Sequence, residues 1–243
     1  MTSRAGRSGG GRAHSRLPQV LDAAAAQFAA KGYQAATIRG IVESVGMLPG
    51  SLYCHFANKD ELLAAVYAEG VRHITRAVQA AADARTDPWD RLEAACEAHL
   101  ETLLDASAYA KVLTSVLPSD AAAVAPALVA LRDGYERVFA RYVADLPLPP
   151  NAPRRTLRMM LLGALNWTTT WYRAGGGRTP RRLARDFVGL LRAGLATGAE
   201  RDGDARRAPC PPRVASGASG LKADGSVPSR AGSPAGSRAA RAP

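Results

Sequence analysis

The chain has 243 residues, 47% hydrophobic and 6% aromatic, enough for one large domain or two small ones with a core built mostly from Ala, Leu and Val. Its net charge of +11 invites a nucleic-acid reading, but residues 1–13 carry +3 and residues 201–243 carry +5, leaving only +3 between them. No stretch reaches the roughly 20 apolar residues of a membrane span, and no apolar run follows the basic Met1–Arg16 segment as it would in a secretory signal, so the expectation is a cytoplasmic protein with no membrane partner.

Residues 1–13 are Gly, Ser and Arg without periodicity, and residues 201–243 hold 6 Gly, 6 Pro and 6 Ser. Both are expected to be disordered, because neither can bury enough apolar surface to offset its ordering entropy. Between them every pattern has the helical period. A first helix is expected from about Arg16 to Lys31, with Val20, Leu21, Ala24 and Phe28 as its stripe, Pro18 in the first turn and Gly32 at its end. Thr37 caps a short helix, Ile38 to Val45, which Gly46 stops. A Met47-Leu48 turn leads to a third helix near Pro49, a residue suited to a first helical position. Asn58 with Glu61 three residues on is a capping-box pattern. It opens a long fourth helix with Leu62, Val66, Ile74 and Val78 inward.

Asp87-Pro88 starts a helix with Leu92, Cys96, His99 and Leu103 on one face. Shorter and longer helices follow over about Tyr109–Leu117 and Pro126–Ala144, the latter carrying Leu128, Leu131, Tyr135, Val138 and Tyr142. After a Pro-rich break, Pro147 to Pro153, one helix runs to about Arg173 and another from about Pro180 to Thr197. The expected fold is all-α. A three-helix head over 14–74 precedes a larger helical bundle over 75–200.

Two short helices joined by a glycine-containing turn form a helix-turn-helix, whose second helix presents its first residues to the major groove. Those residues are Pro49, Gly50, Ser51 and Tyr53. Gly50 allows close backbone approach, and Pro49 can pack on a thymine methyl. Ser51, Tyr53 and His55 can hydrogen-bond phosphates or bases. Thr37 and Arg39 start the preceding helix, where free N–H groups attract phosphate, and Lys59 holds the same kind of place on the fourth helix. Spacing alone would equally suit a plain helical bundle. The ordered run Phe28, Gly32-Tyr33, Thr37, Ile41, Gly46, Gly50-Ser51-Leu52-Tyr53, His55-Phe56, Lys59 and Leu62-Leu63 resembles the TetR family of transcriptional regulators over about 14–74. The resemblance implies a homodimer on a palindromic operator in double-stranded DNA, a helical effector-binding domain behind each head, and DNA contacts at Thr37, Arg39, Ser51, Tyr53, His55 and Lys59. Two positions depart from the family pattern. Leu48 stands where the family usually has a capping Ser or Thr, and Cys54 where it often has His or Tyr.

In the back half, Trp167 and Trp171 lie four apart on one helix face, sealing the bundle or lining an apolar pocket. Leu161 to Leu195 resembles acyl-CoA-responsive TetR regulators of fatty-acid and sterol breakdown. That likeness implies a small apolar effector, an acyl-CoA first and a hydrophobic drug second, and gives Arg173 and Arg178 a phosphate role that competes with plain surface placement. The candidate pocket residues are therefore His99, Trp167, Trp171, Tyr172 and Arg173, although a lone His on an apolar face is usually a hydrogen-bonded core residue, which is the competing reading of His99. Leu183, Phe187, Leu190, Leu191 and Leu195, interleaved with Gly189 and Gly194, form the candidate dimer stripe or, alternatively, a face buried in one subunit. Cys54, Cys96 and Cys210 have no metal spacing and read as free thiols; Cys54 is a small residue or an oxidation switch beside DNA. Arg4, Arg7 and Arg12 form a solvated tail or a minor-groove arm. The one G-x-S-x-G match, Gly6-Arg7-Ser8-Gly9-Gly10, falls in the aperiodic N-terminal stretch without the strand-to-helix context the motif needs, and no H-E-x-x-H or phosphate loop is present, so neither catalysis, a cofactor nor a metal is expected.

Overall fold

A computed structural model describes residues 16–207, with backbone alone at Pro49 and over 196–207. Arg4, Arg7, Arg12, Cys210 and the tail from 208 onward lie outside the described residues. The described chain is helical throughout: α1 (Leu17–Lys31), α2 (Ile38–Ser44), α3 (Pro49–Tyr53), α4 (Lys59–Asp83), α5 (Pro88–Leu104), α6 (Ala108–Ser115), two 3₁₀ turns at Pro118–Asp120 and Ala122–Val124, α7 (Ala125–Ala144), α8 (Arg154–Trp171) and α9 (Pro180–Arg207).

Side-chain caps set several of the starts. Thr37 Oγ1 accepts from the Gly40 N–H at 3.1 Å, Asn58 Oδ1 from the Glu61 N–H at 2.9 Å, and Asp87 Oδ1 from the Trp89 and Asp90 N–H groups. Each satisfies donors that the first helical turn leaves open. Glu61 reaches back to the Ala57 N–H at 2.8 Å, one residue before the position that a capping box uses. Gly32 and Gly46 sit at φ 79° and 63°, the left-handed region that turns the chain out of α1 and through the helix-turn-helix. At its far end α9 continues from Arg201 to Arg207, inside the segment expected to lack structure. Ala, Glu and Arg favour helix strongly enough to carry it across Gly203.

Two cores share one helix. The head core gathers Val20, Ala24, Phe28, Ile41, Val42, Leu52, Leu62, Leu63 and Val66 with Val112, Val116 and Leu128 from the bundle side. The bundle core gathers Ile74, Val78, Leu92, Cys96, Phe139, Leu161, Leu165 and Leu183. α4 supplies a stripe at four-residue steps to both, Leu62, Val66 and then Ile74, Val78, so a division after residue 74 falls inside a continuous helix. α6 binds the two parts further. Tyr109 donates to Asp22 Oδ1 on α1 at 2.9 Å, and a Cβ on Gly70 of α4 would stand 3.1 Å from Leu113 Cγ.

Candidate functional site

The reading face is assembled by α2, the Gly46 turn and α3. Leu52 and Ile41 are fully buried and fix the two helices against each other, which leaves the other side of α3 to solvent. Tyr53 is 54% exposed and Leu48, at the N-cap, 77% exposed. Leu48 offers no capping hydrogen bond, and Pro49 takes the first helical position instead. A Cβ on Gly50 would meet nothing within 4 Å, so the backbone there is open to close approach. Ser51 and His55 are half-buried, and Thr37 and Arg39 are exposed. Arg39 holds Glu43 at 2.7 Å along the outer face of α2, an exposed pair of little energetic weight that phosphate can replace. Cys54 is exposed, with its thiol 3.5 Å from the Gly50 carbonyl.

Lys59 is placed differently from the sequence expectation. Its ammonium donates to the carbonyls of Tyr33 (2.9 Å), Gln34 (3.1 Å) and Ala36 (3.2 Å) and lies 4.5 Å from the Tyr33 ring centroid. All three N–H bonds of an ammonium are thereby used inside the protein. Tyr33 in turn donates to Asp60, and burial, with this contact added to it, raises the phenol pKa. The start of α4 therefore clamps the α1–α2 loop that presents Thr37. Gln27 adds a second clamp, from Nε2 to the Gly40 carbonyl at 2.9 Å.

Behind the head lies a cavity of about 220 Å³ walled by α4 to α8. Tyr67, Val71 and Ile74 from α4, Leu103 from α5, Leu113 from α6 and Leu162 from α8 make its apolar surface. His99, Tyr135, Asn166 and Thr169 add polar groups, and Arg132 and Glu136 stand at its edge. His99 is 1% exposed, with Nδ1 2.7 Å from Tyr135 Oη and the edge of its ring system against Phe139. Burial, slightly offset by the nearby Asn166 carboxamide, lowers its pKa to about 4, so the imidazole is neutral at pH 7.

Of the five sequence candidates for this pocket, His99 alone lines it. Trp167 is 66% and Trp171 39% exposed, Tyr172 is half-buried against the bundle core, and Arg173 is at the surface, donating to the adjacent Tyr172 carbonyl. One residue of helix is a step of about 100°, so Asn166 turns into the cavity while Trp167 turns out. Together with Met159, Met160 and Gly163, the two tryptophans form an exposed apolar stripe on α8 at four-residue steps. The stripe expected on α9 divides. Leu183 is 1% exposed and belongs to its own subunit's core, Phe187 and Leu191 are half-buried against that core, and Leu190 is 73% exposed. Pocket residues missed from sequence include Tyr67, Thr114 and Tyr135; Tyr135 carried a signal only as one member of an apolar stripe.

Among the described residues no group of His, Cys, Asp and Glu is arranged to hold a metal ion, and no helix is long and apolar enough to cross a membrane.

Residues 20–66 match the model of bacterial regulatory proteins of the tetR family, and residues 85–195 match the tetracyclin repressor-like C-terminal domain. The HTH-type transcriptional repressor KstR2 of Mycobacterium tuberculosis is 25% identical over 190 residues, which span 76% of this chain and 95% of that one. Among solved structures, the superantigen PfiT is similar with a TM-score of 0.62 and 30% identity over 71% of this chain and 93% of that one. AibR, crystallised with isovaleryl coenzyme A and operator DNA, shares the fold with a TM-score of 0.60 at 20% identity, over 72% and 97% of the two chains. A three-helix head with its tetR signature, an α4 common to both cores and a matching C-terminal bundle agree with these likenesses: the chain belongs to the TetR family of bacterial regulatory proteins.

Proposed function

We propose that this chain is a ligand-responsive repressor that binds a palindromic operator as a homodimer and releases it when a small apolar effector, an acyl-CoA or a similar metabolite, fills the α4–α8 cavity. The observation that carries the reading is α4 itself. Its first half packs the helix-turn-helix core, and Tyr67, Val71 and Ile74 on the same helix wall the cavity. An occupant that favours one position of α4 therefore also favours one position of the head, which is the differential interaction an allosteric response needs.

Thr37, Arg39, Ser51 and Tyr53 supply the DNA contacts in this reading, with Gly50 admitting the backbone to the groove and Lys59 holding the frame. His55, half-buried just beyond the end of α3, completes this set of contacts. The outward faces of α8 and α9, with Met159, Met160, Trp167, Trp171 and Leu190, join two copies in a four-helix interface of the kind that spaces two heads along one side of a duplex. The cavity suits a compact effector: an engineered 150 Å³ cavity already holds benzene, and this one is about half as large again.

Fluorescence anisotropy on an operator obtained by in vitro selection tests the proposal, with isovaleryl-CoA and stearoyl-CoA as probes. The reading expects tight binding at low salt and at least tenfold weaker binding with a short acyl-CoA present. Retention of full affinity with every acyl-CoA that raises the melting temperature would contradict it.

A further inference from the structure

We infer that the His99–Tyr135 pair presents one spare hydrogen-bond donor to the cavity and thereby selects an effector with an uncharged carbonyl oxygen on a compact apolar body. The inference rests on the effector-pocket reading above and adds the chemistry of the buried end.

A neutral imidazole carries one N–H and a phenol carries one O–H. Nδ1 and Oη are 2.7 Å apart, so one of these protons lies between them. If the phenol donates, the imidazole proton is on Nε2. If Nδ1 donates, the phenol proton is free to turn elsewhere. In either tautomer one donor is left over. Both residues line the cavity, and Nε2 is buried with no hydrogen-bond partner. The Asn166 carboxamide lines the same cavity and is near enough to the ring to act on it as a hydrogen-bond acceptor, but its alignment with Nε2 falls short of a hydrogen bond, so the donor stays open to a better-placed acceptor.

A buried donor without an acceptor costs about 1–3 kcal/mol, so an occupant that brings an acceptor gains over one that does not. Charge is excluded from this end by the surroundings. The ring is enclosed by Tyr135 and Phe139, and the cavity's one cationic side chain among the described lining residues, Arg132, is exposed and has Glu136 one turn further along α7. A carboxylate against His99 would be desolvated without a counter-ion. A ketone, ester or thioester carbonyl meets the donor at much lower desolvation cost.

Indane and 1-indanone differ by that carbonyl and are of a size to fit. Their dissociation constants are measured on the full chain as wild type, the double variant His99→Phe/Tyr135→Phe, and His99→Gln. The ratio of the indane to the indanone constant is expected to fall about tenfold or more in the double variant, which removes both donors, because His99→Phe alone would free the Tyr135 O–H, and to stay within about threefold in His99→Gln, which retains N–H donors. Should the double variant fail to fold, wild-type protein with ¹⁵N-labelled histidine gives the same answer: 1-indanone moves the His99 ring signals and indane leaves Nε2 in place. An equal loss for both probes in the double variant, or identical ring shifts with both, would overturn the inference while leaving the effector pocket standing. Failure of the wild type to bind either probe would overturn the inference and the pocket reading together, and operator binding by the same preparation reports separately on the DNA-binding head.

Discussion

Lys59 donates from Nζ to the Tyr33 carbonyl at 2.9 Å and stands 4.5 Å from the centroid of the same residue's ring. Tyr33 is thus gripped by backbone and side chain at once. The lysine at the start of α4 works as a strut beneath the helix-turn-helix, with its charge turned into the protein.

That geometry gives opposite expectations for stability and for salt dependence. Charge-assisted hydrogen bonds to three carbonyls make Lys59→Met cost about 2 kcal/mol of stability, measured by urea denaturation. A lysine on phosphate would change the salt slope of operator binding by about 0.9 when removed. The slope of log affinity against log salt is expected to be unchanged in Lys59→Met, even though affinity itself falls as the loop loosens.

Tyr53 is the large side chain that α3 exposes beside Gly50. Tyr53→Ala is expected to lower operator affinity by roughly 10- to 100-fold, in the range of a lost base or phosphate contact, and to leave the melting temperature almost unchanged. Anisotropy and differential scanning fluorimetry on the same samples check both halves.

Trp167 projects from α8 in line with Gly163 and Trp171. A charge at the centre of an apolar interface is strongly unfavourable. Trp167→Glu should therefore weaken dimerisation about a hundredfold or more, seen as a monomer by sedimentation velocity at micromolar concentration, with a normal helical spectrum. A dimer of wild-type strength would place the interface elsewhere.

His99 makes stability depend on pH. Its pKa falls from 6.5 to about 4 on folding, so between these values the unfolded chain binds a proton that the native state refuses. The contribution is whole above pH 6.5 and is lost as pH falls toward 4, reaching about 3 kcal/mol at most. Urea titrations at pH 7.0 and 4.5 are expected to show a smaller drop in His99→Phe than in wild type. An equal drop in both proteins would contradict the neutral, buried imidazole.

The helices and their starts were legible because their causes are local. A capping Thr37, Asn58 or Asp87 bonds N–H groups two or three residues away, and Gly32 and Gly46 adopt their positive φ regardless of distant packing. Lys59 was not legible in the same way. Its acceptors are backbone carbonyls more than twenty residues earlier, and no residue type announces a carbonyl's direction. α8 defeated pattern reading for another reason. It is apolar on two sides, with Leu157, Leu161 and Leu165 turned to its own core and Met159, Gly163 and Trp167 turned out, and hydrophobicity alone does not say which side meets a cavity. Leu162, Asn166 and Thr169 are the members of α8 that reach the cavity, and Asn166 lies one residue before the conspicuous tryptophan. Leu183 illustrates the converse, an apolar residue in a plausible interface stripe that its own subunit buries completely.

In the proposed mechanism, occupancy of the α4–α8 cavity and operator binding by α2 and α3 are coupled through α4. The most direct test is the affinity of the protein for its selected operator measured with and without a ligand already shown to bind the cavity, together with the ligand's affinity measured with and without operator. Linkage requires the two factors to be equal. The same weakening, about tenfold or more, is expected in both directions. A ligand that binds the cavity and leaves operator affinity unchanged would contradict it.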